Sequence, residues 1–407
     1  MHRHTLALLI LILACPAVAD EGWTRFRGPN GSGVSPSPAP TQWSPADYAW
    51  KVELPGEGHS SPVLHRDRVY ITATQPQTAE QWLVSVRATD GAIAWKLRLE
   101  SKPYPQHRFN SFASASPAVD ERHVYVPVSS AEEYQLVAVT HEGREAWRHT
   151  LGPFVSQHGS AASPIVYRDS VIMPNDQDGE SFAIALDGQT GQVRWKTPRK
   201  SGNAAYGTPS IFTGADGVDQ LILSSQASGV TGLNAATGEL LWEVDGLFHD
   251  RTVFSPTVAG DLVIAGAGQG IGGKKLVAIR PPASGGSASA ELVYEIDKSL
   301  PYVPTPLYHE GLLFLLADSG VLTCADAATG QIWWRERIGG NFFASPVIAG
   351  DVLYCVSRDG QVVTIQAADT YQPIARTDLG EPTHATPAFA GGVIYLRTER
   401  HLIRVGR

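Results

Sequence analysis

Cysteine is scarce in this 407-residue chain: Cys15, Cys324 and Cys355 are the only three, and no two are adjacent. Two isolated thiols late in the sequence do not make a zinc site. Basic charge is also short. Lysine and arginine number 32 against 40 acidic residues, a formal charge of −8, and no basic stripe breaks that balance. A phosphate backbone is repelled by such a surface, which excludes nucleic acid as a partner. Long apolar runs are missing: Leu6–Ala14, near the N-terminus, is too short to cross a bilayer. Catalytic signatures are missing as well. No Gly-x-Ser-x-Gly elbow, His-Glu-x-x-His pair or phosphate loop occurs. Gly266-Ala267-Gly268-Gln269-Gly270 has alternating glycines but no strand–helix–strand context, so it reads as a loop between strands.

Glycine (40) and proline (28), by contrast, are plentiful, as a chain of many short strands and turns requires. Their placement is periodic. Ser/Thr-Pro pairs fall at Pro62, Pro117, Pro164, Pro209, Pro256, Pro306, Pro346 and Pro387. Each begins a phrase of apolar runs that ends in an Asp-x-x-Thr-Gly-like turn and then an aromatic residue. The fullest copies run Ser163-Pro164 … Asp187-Gly188-Gln189-Thr190-Gly191 … Trp195 and Thr305-Pro306 … Asp326-Ala327-Ala328-Thr329-Gly330 … Trp334. A period of roughly 40–50 residues with four short strands per copy is the signature of a β-propeller. The expected fold is therefore all-β, an eight-bladed propeller with four-stranded antiparallel blades.

The eighth copy stops after two strands beyond its Pro387-led strand, while Tyr48–Glu53 stands alone as a fourth strand before the first copy. Trp50 precedes Pro62 by the same interval that separates Trp334 from Pro346. The N-terminal strand is thus expected to complete the last blade and leave no open sheet edge. In the seventh copy Ala375-Arg376 stand where the aromatic belongs.

The N-terminus reads as an export signal, residues 1–19: a basic Met1–His4, an apolar Leu6–Ala14 and Ala17-Val18-Ala19 before Asp20. Ile12-Leu13-Ala14-Cys15 offers a rival site that would lipidate Cys15, although Leu13 stands where a small residue is usual. Export places the protein in the periplasm or outside the cell, with a lipoprotein as the alternative and membrane attachment only through Cys15. Residues 20–47 form a leader without periodicity, expected to lie on the propeller through Trp23, Phe26 and Trp43; residues 48–407 form the propeller. Ala283–Ala290 reads as a flexible loop. Cys324 and Cys355 fall on different strands; buried free thiols are the simpler expectation, a disulfide the other.

These phrases resemble the pyrroloquinoline-quinone (PQQ) repeat of eight-bladed quinoprotein alcohol dehydrogenases and their non-catalytic relatives, over about residues 48–407. The propeller lipoprotein of the outer-membrane β-barrel assembly machine shares that architecture. Trp23–Gly31 and Gly58-His59-Ser60-Ser61-Pro62 are similar to a bacterial exported subfamily of such proteins. A dehydrogenase of this kind is implied to need a Glu-Asn-Asp set holding calcium or a lanthanide, an Asp base, a Trp floor and often adjacent cysteines. This chain has no adjacent cysteines, no assignable metal set and no long insertion to shape a substrate pocket. Asn175–Glu180 carries oxygen donors at alternate positions, as Ca²⁺ prefers, but sits where two strands must turn and lacks a complete loop. No catalytic residue and no metal ligand is assigned; His59, His158, His249 and His384 read as loop histidines.

One set of positions keeps a binding site in view. Residues just before the proline anchors should converge on one mouth of the central channel: His59, Asn110, His158, Tyr206, Arg251, Tyr302, Asn341 and His384. His59, Tyr206 and His384 hold the same offset, three residues before Pro62, Pro209 and Pro387. Such a ring is either a ligand funnel or a set of strand caps meeting water. The functional expectation is an exported, monomeric, non-catalytic scaffold that binds a protein partner in the cell envelope. The alternatives are a PQQ-dependent oxidoreductase using PQQ with Ca²⁺, and a subunit acting in outer-membrane protein assembly.

Overall fold

Short apolar runs closed by a self-capping turn dictate the blade. In the third copy the strands are Ile165–Tyr167, Ser170–Asn175, Phe182–Asp187 and Val193–Pro198. Every residue of the second strand is buried, because the faces of a blade both pack on neighbours. The Asp187 carboxylate accepts the Gln189 and Thr190 N–H groups (3.0 and 2.8 Å) and the Thr190 hydroxyl (2.9 Å), which closes the turn into the fourth strand. Asp326 repeats the pattern with Ala328 and Thr329 (3.1, 2.8 and 2.7 Å). The Asp-x-x-Thr phrase is thus a turn that carries its own hydrogen-bond acceptors.

The computed structural model describes residues 22–130, 132–269, 274–282 and 289–406. The expected export signal, Cys15 and residues 283–288 of the expected loop lie outside the described residues. Eight antiparallel sheets follow in chain order, each of four strands joined sequentially. The eighth is Ala388–Ala390, Val393–Arg397 and His401–Val405, completed by Tyr48–Glu53, with Trp50 opposite Arg404. The seventh sheet carries a fifth strand, Val34–Ser35 from the leader, parallel to its innermost strand Val347–Ala349.

The terminal aromatic of one blade packs on the turn glycine of the next. A Cβ at Gly91, Gly143, Gly191, Gly238 or Gly330 would lie 2.6–2.7 Å from the ring of Trp50, Trp95, Trp147, Trp195 or Tyr294 respectively. Only hydrogen fits at so close an approach. Trp50, Trp95 and Trp147 also donate their indole N–H to a carbonyl of that turn (2.9, 2.7 and 3.0 Å). Trp242 instead donates to Gln220 of its own blade (2.6 Å), since blade five has no Asp-x-x-Thr-Gly turn to receive it.

The wedge between blades seven and eight is filled differently. Ala375 occupies the aromatic position of blade seven, pairing with Thr364. The leader runs through the vacated space: Tyr354 Oη donates to the Ala39 carbonyl (2.9 Å) and Thr364 Oγ1 to the Thr41 carbonyl (3.0 Å). Trp43 is buried there in one cluster with Tyr354, Phe389 and Tyr395. The missing tryptophan is therefore a vacancy taken by another segment of the same chain.

One expectation changes, and two other segments gain detail. Gly266 and Ala267 are not loop residues but end the strand Leu262–Ala267. A Cβ at Gly266 would meet the Phe254 ring at 2.6 Å, which accounts for the glycine in a strand. Asn175 likewise ends its strand, and Asp176 in the following turn is buried in an ion pair with Arg199 (2.6 Å). Cys324 and Cys355 are both buried free thiols, each pushed up by burial, Cys324 to about 12.

Candidate functional site: the mouth of the central channel

Proline fixes where each innermost strand begins, and thereby which residues face the axis. The hydroxyl residue before each proline turns that convergence into a hydrogen-bonded belt. The Ser61 N–H donates to Ser116 Oγ (2.8 Å) and the Ser116 N–H to Ser163 Oγ (2.9 Å). Thr208 continues to Ser255 (2.9 Å), Ser255 to Thr305 (3.1 Å) and Thr305 to Ser345 (3.0 Å). Ser345 reaches Thr386 (2.9 Å), and Thr386 returns to Ser61 (3.1 Å). Seven of the eight junctions are linked this way. The axis is too crowded for solvent to satisfy these N–H groups, so the next blade does so.

Below the belt the leader crosses the channel. The Trp23 and Thr24 carbonyls accept Leu64 N–H and Val119 N–H of blades one and two (2.8 and 2.9 Å). Arg25 donates to the Pro209 carbonyl of blade four, and Arg27 to Gly31 and to Pro346 of blade seven (3.1 and 3.2 Å). Asn30 pairs its amide with both backbone groups of Ile211 (2.7 Å each). Gly28 has φ +65 and a Cβ there would strike the Trp23 ring at 2.5 Å, so the Arg-Gly-Pro-Asn-Gly phrase encodes a tight knot. Burial holds the Arg25 and Arg27 guanidiniums down to about 9, still cationic at neutral pH. Their partners are carbonyl oxygens.

Above the belt lies a cavity of about 620 Å³ with Phe26 of the leader in its lining. All eight positions His59, Asn110, His158, Tyr206, Arg251, Tyr302, Asn341 and His384 line it. The His59 and His384 rings face each other at 4.2 Å. Asn110 spends its amide on the carbonyls of His158 and Ser160 (2.6 and 3.3 Å), so it braces a loop. Arg251 donates to His158 Nδ1 and lies 5.8 Å from the Tyr206 ring centre. Tyr206 Oη contacts Ser156 Oγ (3.2 Å), and the Tyr302 N–H donates to Asp318 (2.7 Å). Asn341 is exposed, its carbonyl accepting the Arg358 N–H (2.7 Å). His249 is exposed and lies apart from this lining.

Several residues of the mouth escaped sequence reasoning. Arg358 donates from Nε to His384 Nε2 (3.2 Å) and is held over Phe109 and Phe343 at 4.2 and 4.6 Å. Those two rings meet edge to face at 5.3 Å across blades two and seven. Phe109 belongs to the connection between Leu99 and Ala118, which lies over the mouth and stacks His107 on His158 at 4.9 Å. The expectation of no pocket-shaping insertion is thereby corrected. Its signal was present as the longest interval between proline anchors, Pro62 to Pro117.

The mouth carries the charges of Arg251, Arg358 and Lys274, while burial disfavours the charged form of His59, His158 and His384. Burial, then the charge of Arg358, lowers His384 to about 4. Burial and then His384, Arg397 and Arg358 hold His59 well below the ordinary imidazole range. Burial, Arg251 and His107 lower His158. Tyr206 and Tyr302 are raised, chiefly by burial. Asp318 is the one carboxylate of the lining among the described residues, and Lys274 (3.0 Å) and the N–H groups of Tyr302 and Val303 already hold it.

That composition does not fit the calcium–PQQ arrangement implied by the dehydrogenase resemblance. It supplies one engaged carboxylate where a Glu-Asn-Asp set and an Asp base are needed, and no tryptophan floor. Among the described residues, no group of three or more His, Cys, Asp or Glu side chains is placed to hold a metal ion.

A closed ring of eight PQQ-like blades, plugged at one end and open at the other, defines the class of the protein. Residues 45–214 and 298–398 match the family described as outer membrane protein assembly factor BamB, and the chain belongs to that family. Curated relatives carrying that name are 22% identical over 75% of this chain in Yersinia pestis and 25% identical over 62% in Shewanella oneidensis. The matched part spans 64% of either relative's length. Among solved structures, BamB from Moraxella catarrhalis superposes with a TM-score of 0.64 at 14% identity, covering 88% of this chain and 97% of that one. A quinohemoprotein alcohol dehydrogenase from Comamonas testosteroni superposes with a TM-score of 0.62, also at 14% identity, covering 94% of this chain and 80% of that one. At these identities the superpositions speak for the fold alone.

Proposed function

We propose that this protein is an exported, non-catalytic scaffold of the cell envelope that binds a protein partner, and that its partner belongs to the apparatus assembling outer-membrane proteins. The single observation behind this reading is the family match, which spans both halves of the ring. The relatives' names supply the assembly role, and the architecture is suited to it. Eight blades joined by interblade staples give a rigid disc whose loops and outer strands offer wide surface for a partner, including by strand addition. Periplasmic location follows from the export signal, with Cys15 the attachment point if it is lipidated.

The test is a pull-down of the full chain, tagged at its C-terminus, from gently solubilised envelopes. An outer-membrane β-barrel protein should co-purify in stoichiometric amount. A Cys15→Ser variant released into the soluble periplasm would mark Cys15 as the anchor; unchanged fractionation would assign processing to Ala19. Absence of any envelope partner, or a quinone spectrum with dye-linked alcohol oxidation after adding PQQ and Ca²⁺, would overturn the scaffold reading.

A further inference from the structure

We propose that the mouth of the channel binds a small organic carboxylate, with Arg251 and Arg358 as its counter-charges. This goes beyond the scaffold reading and stands without it. The first observation is charge left over. Arg251 and Arg358 make no ion pair with a carboxylate among the described residues; their partners are histidine nitrogens and aromatic rings. Elsewhere exposed arginines such as Arg194 and Arg280 each hold two carboxylates. The lining holds Arg251, Arg358 and Lys274 against Asp318 alone, so it is net positive within a chain that is net negative. A low-dielectric concave site of that sign concentrates anions.

The second observation is an unmet donor. His384 accepts from Arg358 at Nε2, which leaves the proton of the neutral ring on Nδ1. That Nδ1 is buried without a hydrogen-bond partner. A buried donor left unpaired is costly, so a ligand acceptor that the His384 ring turns to meet would be favoured. His158, likewise bonded through Nδ1 to Arg251, keeps its proton on Nε2.

The third observation is the character of the walls. Phe26, Phe109, Phe343, Val253 and Val303 supply apolar surface beside the guanidiniums. Arg358, held over the Phe109 and Phe343 rings with Nε engaged, keeps its terminal N–H groups, whose planar fork matches a carboxylate. A volume of about 620 Å³ falls in the range of small-ligand sites. An apolar body carrying one or two carboxylates uses all three features. A bare metal cation would meet repulsion, and the site has no free carboxylate to receive it.

The probe is naphthalene-2,6-dicarboxylate, titrated calorimetrically into the full chain at pH 7.5 and low salt, beside its uncharged diamide and inorganic phosphate. The dicarboxylate should bind and the diamide should not. Arg251→Gln and Arg358→Gln should each weaken binding roughly tenfold, the worth of a hydrogen bond to a charged group. Arg280→Gln, on the outer rim, should leave it unchanged. Should either channel variant fail to fold, the wild-type protein still decides: raising NaCl to about 0.5 M should weaken the dicarboxylate severalfold by screening. No heat with the dicarboxylate, equal binding of the diamide, salt-independent affinity, or preference for phosphate would each overturn the proposal.

Discussion

The two ends of the channel use the same eight inner strands to opposite effect. At the leader end the chain folds back on itself: Trp23 and Arg27 are each 1% exposed, the Trp23 carbonyl accepts the Leu64 N–H of blade one, and Arg27 donates to the carbonyls of Gly31 and of Pro346 in blade seven. At the mouth the strands begin among histidines, tyrosines and arginines that line an open cavity, with Arg251 and Arg358 bonded to histidine nitrogens rather than to carbonyls. One end converts side chains into stability; the other keeps them available. The difference arises because a plug supplied in the same chain fills the first end, while the connection over the second covers it without closing it.

Removing the plug should show the largest effect. Trp23→Ala deletes a buried ring that packs on Phe389 at 5.9 Å and is expected to cost about 3–5 kcal/mol, read as a lowered midpoint in urea unfolding. A loss below about 1 kcal/mol would mean the leader is only laid on the surface. Next, Arg27→Met should cost about 1–3 kcal/mol, because the carbonyls of Gly31 and Pro346 lose their donor inside the protein. The matching change at the mouth, Arg358→Met, should cost less, since its bond to His384 is only part-buried and its stacking is retained by the methionine side chain.

The third prediction uses pH. His384 titrates near 4 in the fold against about 6.5 unfolded, so the unfolded chain takes up the proton first. Its contribution to stability is therefore complete above about pH 6.5 and lost as the pH falls toward 4. His384→Gln should unfold at nearly the wild-type urea midpoint at pH 7.5. Between pH 6.5 and 4.5 it should lose about 2 kcal/mol less than the wild type. Parallel acid curves for the two proteins would place the histidine in open solvent. Smallest of all, Asn341→Ala should change stability by less than about 0.5 kcal/mol, as expected of an exposed side chain at a site kept open.

Much of this was legible before any coordinates. Each proline anchor sets a strand start, and Trp50 with its fixed interval to Pro62 foretold the closing strand, because repeat spacing is a local property carried from copy to copy. The same logic brought His59 and His384 together, being equivalent positions in neighbouring blades. Asn110 was placed in the lining, but its bracing role was hidden, since its partners sit in the next copy. Arg358 and Phe343 were missed for a related reason: Arg358 is not at the anchor offset, and its meaning comes from Phe109, far away in the chain.

By itself, then, the sequence determined the blade, the number of blades and the way the ring shuts, since strand, turn and staple are all encoded within one period or between adjacent periods. Tertiary structure decided that the leader plugs one end and substitutes for the missing aromatic beside Ala375. It also decided that two guanidiniums at the mouth stand without carboxylates. Those facts depend on which residues meet across the ring, and closure of the ring, rather than any local preference, brings them within reach.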